Sequence, residues 1–151
     1  MDKVDALDEK LIKLLVEDAR QSSLKLAKQL KVSAATVRRR VRKLIESEVL
    51  HIVAAVDPNR IGLPLAALIA FDVTHEKLGE VMEMLANRPE VKWVSTSTGR
   101  FDILALVRLR STDELSDFMQ KELAQMEGLR DSETFVCLHV AKGRYVPTNL
   151  V

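Results

Sequence analysis

At 151 residues the chain can hold one ordinary domain or two small ones. Its 47% apolar and 30% charged residues suit a soluble protein with a real core. Five Gly and four Pro argue against extended disorder, and the single Cys137 excludes an internal disulfide. No run reaches the ~18 apolar residues of a membrane span and the N-terminus has no signal-like apolar region, so a reducing cytoplasmic setting is expected. The net charge of +1 hides a split: residues 1–56 carry twelve Lys/Arg against eight Asp/Glu, and residues 57–151 carry eleven against fourteen. A basic front and an acidic back imply two modules with different partners.

Three helices fit into the first fifty residues. Leu7, Leu11, Leu14 and Leu15 share one face of the first, with Asp5 as its N-cap. After Asp18-Ala19-Arg20-Gln21-Ser22-Ser23, Ser23 is expected to cap a short second helix carrying Leu26, Ala27 and Leu30. Lys31–Val32 then turns into Ser33, the N-cap of a third helix. Two short helices joined by three or four residues make a helix-turn-helix.

The third helix carries five basic residues in the six positions Arg38 to Lys43. At 100° per residue, Val37, Val41, Leu44 and Ile45 form the packed face. Ala35, Thr36, Arg39, Arg42 and Lys43 lie opposite, with Arg38 and Arg40 on the flanks. Small polar residues leading and cations following are what a helix entering a major groove needs. Such a run on an isolated helix is usually just a solvated face. Here the tight turn, the capping serine and the partner helix agree, and the candidate DNA contacts are Ser33, Ala35, Thr36, Arg38, Arg39, Arg42 and Lys43.

Residues 49–57 have β-type composition and read either as a wing or as a strand leading onward. Asp57 to Pro64, with two prolines and a glycine, read as a hinge. The expected division is therefore a helix-turn-helix domain over 1–50, a strand and hinge over 51–64, and a second domain over 65–151.

From Leu65 the period changes. Residues 65–74 read as a strand and 75–88 as a helix with Leu78, Val81, Met82 and Leu85 on one face. Residues 91–98 and 101–110 are strands joined through Gly99–Arg100. Ser111 and Glu114 mark a capping box for a helix bearing Leu115, Phe118, Met119, Leu123 and Met126, and a final strand is expected over 133–140. The order β-α-β-β-α-β is a ferredoxin-like split βαβ, so the chain is classed as α+β: a winged-helix-like helix-turn-helix joined to a ferredoxin-like domain. Both faces of this sheet are apolar. Phe101, Ile103, Ala105, Val107 and Leu109 line one side of a strand whose other side holds Leu104 and Leu106. Two helices cover one face only, so a second subunit is expected over the other.

The chain resembles the leucine-responsive regulator/asparagine-operon activator (Lrp/AsnC) transcription factors over nearly its whole length. Leu7–Asp8, Asp18-Ala19-Arg20, Leu26–Ala27, Val32–Ser33, Arg40–Val41 and Leu44 look like that family's helix-turn-helix signature, and Asp57–Pro58 with Gly62 its hinge. Gly99-Arg100-Phe101-Asp102 looks like its Gly-x-aromatic-Asp motif, and Asp131 to Phe135 like the start of its last strand. One departure is Ser47-Glu48-Val49, where the family usually has a glycine after the third helix, so this C-cap is made without Gly.

The resemblance implies an amino-acid-responsive DNA-binding protein that dimerises through its second domain and assembles further, often to octamers. It also implies an effector near Gly99, Arg100, Phe101 and Asp102, with Ser132 and Thr134 adding hydroxyls. Asp102 would accept from a ligand ammonium, and backbone N–H groups around Gly99 to Phe101 would donate to its carboxylate. The plainer alternative gives Gly99 a tight connection needing positive φ and Asp102 a turn-stabilising role. Two further functions compete: a ligand-independent architectural DNA compactor, and a tetrapyrrole-decarboxylase-like enzyme of the same fold. The enzyme reading lacks parts. His51, His75 and His139 stand apart in sequence, and no nucleophile–base grouping, metal-ligand spacing, P-loop or dinucleotide motif is present, so no metal and no cofactor are expected.

Overall fold

A computed structural model describes residues 4–143 and 146–147. The chain divides into two compact units, 1–53 and 54–151.

The first unit is a bundle of α1 (Ala6–Glu17), α2 (Ser23–Leu30) and α3 (Ala34–Glu46). Each begins on a side-chain cap. Asp5 and Asp8 form a reciprocal capping box on α1, and Ser33 accepts the Thr36 N–H on α3. The cap of α2 is Ser22, accepting from Lys25 N–H, rather than Ser23, which is already the first helical residue. Both serines suit the position, and backbone geometry selects the earlier one. Lys31, in the left-handed region at φ 55°, closes α2 while Val32 N–H donates to Ala27 O. Leu11, Leu15, Leu26, Ala27, Val37, Leu44 and Leu50 form the core. Ile45 does not join them as expected. It is 43% exposed, because the step from Leu44 carries it past the edge of the packed stripe.

Residues 50–54 form no strand. Ala55–Val56 (β1) pairs antiparallel with Val146–Pro147 (β6), so this part of the ambiguous segment is a strand of the second unit, not a wing of the first. A 3₁₀ turn over Pro58–Ile61, capped by Asp57 and closed by Gly62 at φ 82°, leads to the main sheet.

That sheet contains β2 (Leu65–Val73), β3 (Val91–Thr96), β4 (Ile103–Leu109) and β5 (Leu129–Val136), antiparallel in the order β3-β4-β2-β5. With α4 (Leu78–Ala86) and α5 (Thr112–Gln125) it makes the ferredoxin-like α+β unit. Ala67, Ile69, Phe71, Val73, Ile103, Ala105, Val107 and Leu109 meet Val81, Leu85, Leu115 and Phe118 in the core. Buried Glu122 of α5 is paired by Arg88 Nε at 2.9 Å. Ser111 caps α5 by accepting the Glu114 N–H. The Glu114 carboxylate takes the Arg110 N–H instead of closing the box on Ser111.

The last long strand spans 129–136, four residues earlier than the apolar run at 133–140 suggests. Its start is set by Gly128, at φ 80°, whose carbonyl accepts the Thr74 N–H and so places Leu129 opposite Val73. A Cβ on Gly128 would lie 2.5 Å from Thr74 Oγ1, so only glycine fits this turn.

Candidate functional site

Two groups of residues carry chemistry. The first is the outward face of α3. Val37 and Leu44 anchor the helix inward, and Arg38, Arg39, Arg42 and Lys43 are all exposed, as are Ser33 and Ala35. Thr36 is half-buried. Its hydroxyl lies 2.8 Å from Ser33 Oγ, which also accepts the Thr36 N–H at 3.0 Å, so both hydroxyls take part in the cap that starts the helix. The tip of α3 is thereby hydrogen-bonded within its own chain.

The fifth cation of the run behaves differently. Arg40 points back into the bundle, with Nη1 2.5 Å from Asp5 Oδ2 and 3.1 Å from Asp8 Oδ2. Asp8 is buried, so this bridge satisfies a carboxylate withdrawn from water and ties α3 to the start of α1. The Asp5 carboxyl is held below its usual range first by the Asp8 N–H and then by Arg40, while Arg40 is raised first by its bond to Asp5. Periodicity puts Arg40 on a flank. Its partners lie 35 and 32 residues away, and nothing local signals them.

The second group lies at one end of the sheet. Asp102 N–H donates to Phe71 O, its carbonyl accepts the Ser97 N–H, and Oδ2 accepts the Val73 N–H at 3.0 Å. The Val73 N–H is the largest reason why the Asp102 carboxyl sits below its ordinary value. The Asp102 carboxylate thus ties the end of the loop to the last residue of β2, and Arg130 Nη2 stands 3.5 Å from the same Oδ2. Arg130 also bonds Asp72, and Arg100 bonds Asp131 Oδ2 at 3.1 Å while stacking over the Phe101 ring at 5.0 Å. Arg130 and Asp72 belong to this cluster but carry no motif of their own, and Asp131 stands out in the sequence only as the start of the last-strand motif. The register of β5 on β2 brings them there.

Gly99 is exposed and does not need positive φ, so the expectation of a left-handed turn at this position is corrected. An added Cβ would meet nothing closer than Ser97 Oγ at 4.0 Å. Ser132 pairs opposite Phe71 and Thr134 opposite Ile69, and Thr134 Oγ1 approaches Met119 Sδ at 3.8 Å. Thr134 therefore faces α5, two residues along the strand from Ser132 at the loop end. Within one chain the loop and Ser132 share the same end of the sheet.

Comparison with known proteins covers both units. Residues 4–45 match the AsnC-type helix-turn-helix domain, and residues 66–147 match the Lrp/AsnC ligand binding domain. An uncharacterised HTH-type transcriptional regulator of Pyrococcus furiosus is 36% identical over 143 residues, spanning 94% of this chain and 97% of its own. The structure of Escherichia coli AsnC superposes with a TM-score of 0.84 at 24% identity, over 92% of this chain and 95% of that one. A transcriptional regulator of Neisseria meningitidis, solved as a complex with L-Met, gives a TM-score of 0.83 at 22% identity, over 93% of both chains.

Proposed function

Because the chain belongs to the Lrp/AsnC family of helix-turn-helix transcriptional regulators, we propose that it binds duplex DNA through the outer face of α3 and answers to an amino acid held near the Gly99–Asp102 loop. The observation that carries the DNA reading is the sorting of the basic run. Arg40 is consumed inside the bundle, while Arg38, Arg39, Arg42 and Lys43 present their side chains outward from a capped helix. A dimer would offer two such helices to successive major grooves roughly 34 Å apart.

The test is the salt dependence of affinity. Neutralising phosphates releases counterions, so log K falls linearly with log salt. Replacing Arg39 with Ala is expected to weaken binding to all sequences and flatten that slope by about one unit. A salt-independent affinity, or an unchanged slope in Arg39→Ala, rejects α3 as the docking element.

The effector reading rests on the convergence of Arg100, Asp102, Arg130 and Asp131, charges of both signs within one cluster, as a zwitterion requires. The regulator–L-Met complex among its structural relatives supports the class of ligand. A thermal-shift screen of the twenty amino acids checks it. An effector at ~100 times its Kd adds about 2.7 kcal/mol, and no shift from any of them favours the ligand-independent compactor.

A further inference from the structure

The open face of the main sheet ends in an arginine without a counter-charge. Arg108 alternates with Leu104 and Leu106 along β4, so it points away from α4 and α5, and it pairs opposite Ala66 of β2. It is 4% exposed. Among the described residues its guanidinium has no hydrogen-bond or ion-pair partner, and its Nε is buried and unsatisfied. On the far side of Ala66 the chain runs on past β5, and Cys137 N–H donates to Ala66 O at 2.8 Å. Arg108 lines a polar cavity of about 130 Å³ together with Asn59, Pro64, Ala66 and residues 137–140.

A guanidinium is always charged, and burying it unpaired is among the costliest arrangements a fold can contain. We infer that this cavity is an anion site, holding a small oxyanion or the carboxylate end of a small metabolite on the Arg108 fork. Guanidinium geometry matches a carboxylate or phosphate through two parallel N–H donors, and Asn59 and His139, which also line the cavity, are residue types able to donate to an anion. The volume admits one small anion and excludes a nucleotide. Arg108 lies five residues along β4 from Ile103, roughly 17 Å at 3.3–3.4 Å per residue, so this site is separate from the Gly99–Asp102 loop.

The experiment is thermal unfolding of the full chain at constant ionic strength, with phosphate, sulfate, acetate or succinate replacing chloride. The wild type is expected to gain roughly 5–10 °C at about 100 times the Kd of the anion that fits, and to go on rising with the logarithm of its concentration. Phosphate or sulfate selectivity identifies an inorganic oxyanion, and acetate or succinate selectivity a metabolite carboxylate. Arg108→Met keeps the length and loses the charge, so it should lose the anion response and unfold no lower than wild type in chloride. If Arg108→Met does not fold, Arg108→Lys keeps a charge without the fork and should need several-fold more anion for the same shift. A wild-type midpoint indifferent to every anion overturns the proposal, as does an equal response in Arg108→Met. Anion indifference joined to a shift of Arg108→Met from dimer to monomer assigns the counter-charge to a second copy and overturns it too.

Discussion

Arg40, third in the Arg38–Lys43 run, is a cation whose loss should be felt by the fold. It faces buried Asp8 and the N-cap Asp5, and removing it leaves a carboxylate withdrawn from water without its cation. Arg40→Met is therefore expected to lower the unfolding midpoint while leaving the salt slope of DNA binding unchanged, the reverse of Arg39→Ala. The pH dependence follows from Asp5. Its folded pKa is lowered from 3.8, so its stabilisation is complete above that value and is lost as pH falls through the folded pKa. Arg40 contributes to that lowering. The deficit of Arg40→Met relative to wild type should accordingly be full at pH 7 and shrink below about pH 4, as urea unfolding at the two pH values would reveal. A deficit that persists unchanged in acid removes Asp5 as the partner that matters.

The helices end less comfortably than they begin. Glu48 occupies the left-handed region at φ 58° just beyond α3, so that Val49 and Leu50 N–H can both donate to Leu44 O at 3.0 Å. A residue with a Cβ pays about 1–2 kcal/mol for that backbone, and glycine escapes it at some entropic cost in the unfolded chain. Glu48→Gly should thus raise stability by about 0.5–1 kcal/mol, read as a higher urea midpoint at unchanged m-value. An unchanged or lower midpoint would mean that the Glu48 side chain offsets the strain. The missing glycine was visible in Ser47-Glu48-Val49, and so were the caps at Asp5, Ser33 and Ser111, because capping is decided within four residues. What escaped the sequence is non-local. The start of β5 depends on Gly128 meeting Thr74 across the sheet, Arg40 on carboxylates more than thirty residues away, and the Arg130–Asp102 contact on strand register. The candidate loop was legible as a motif, but the charges around it were not.

At the scale of the molecule, the unresolved demand is the bare side of the sheet. The register places Trp93, Leu106, Leu68 and Phe135 in one row across all four strands, each opposite the next. Trp93 is 49% exposed and Phe135 48%. Covering such side chains returns about 1.5–3 kcal/mol each when burial is complete, and association costs about 4–15 kcal/mol, so this row and its neighbours bring a two-fold pairing within reach without a wide margin. A charge placed in the middle of the row should then be decisive. Leu106→Asp leaves the helix-covered core untouched, because that core is built from Ile103, Ala105, Val107 and Leu109 on the other side of β4. Light scattering on the eluting protein is expected to give a dimer or larger assembly for the wild type and a folded monomer for Leu106→Asp. DNA affinity should drop with it, since one recognition helix would bind where two did before. A wild-type chain that elutes as a monomer, or a Leu106→Asp variant that keeps the parent mass, would show that the apolar row is not the surface that joins subunits.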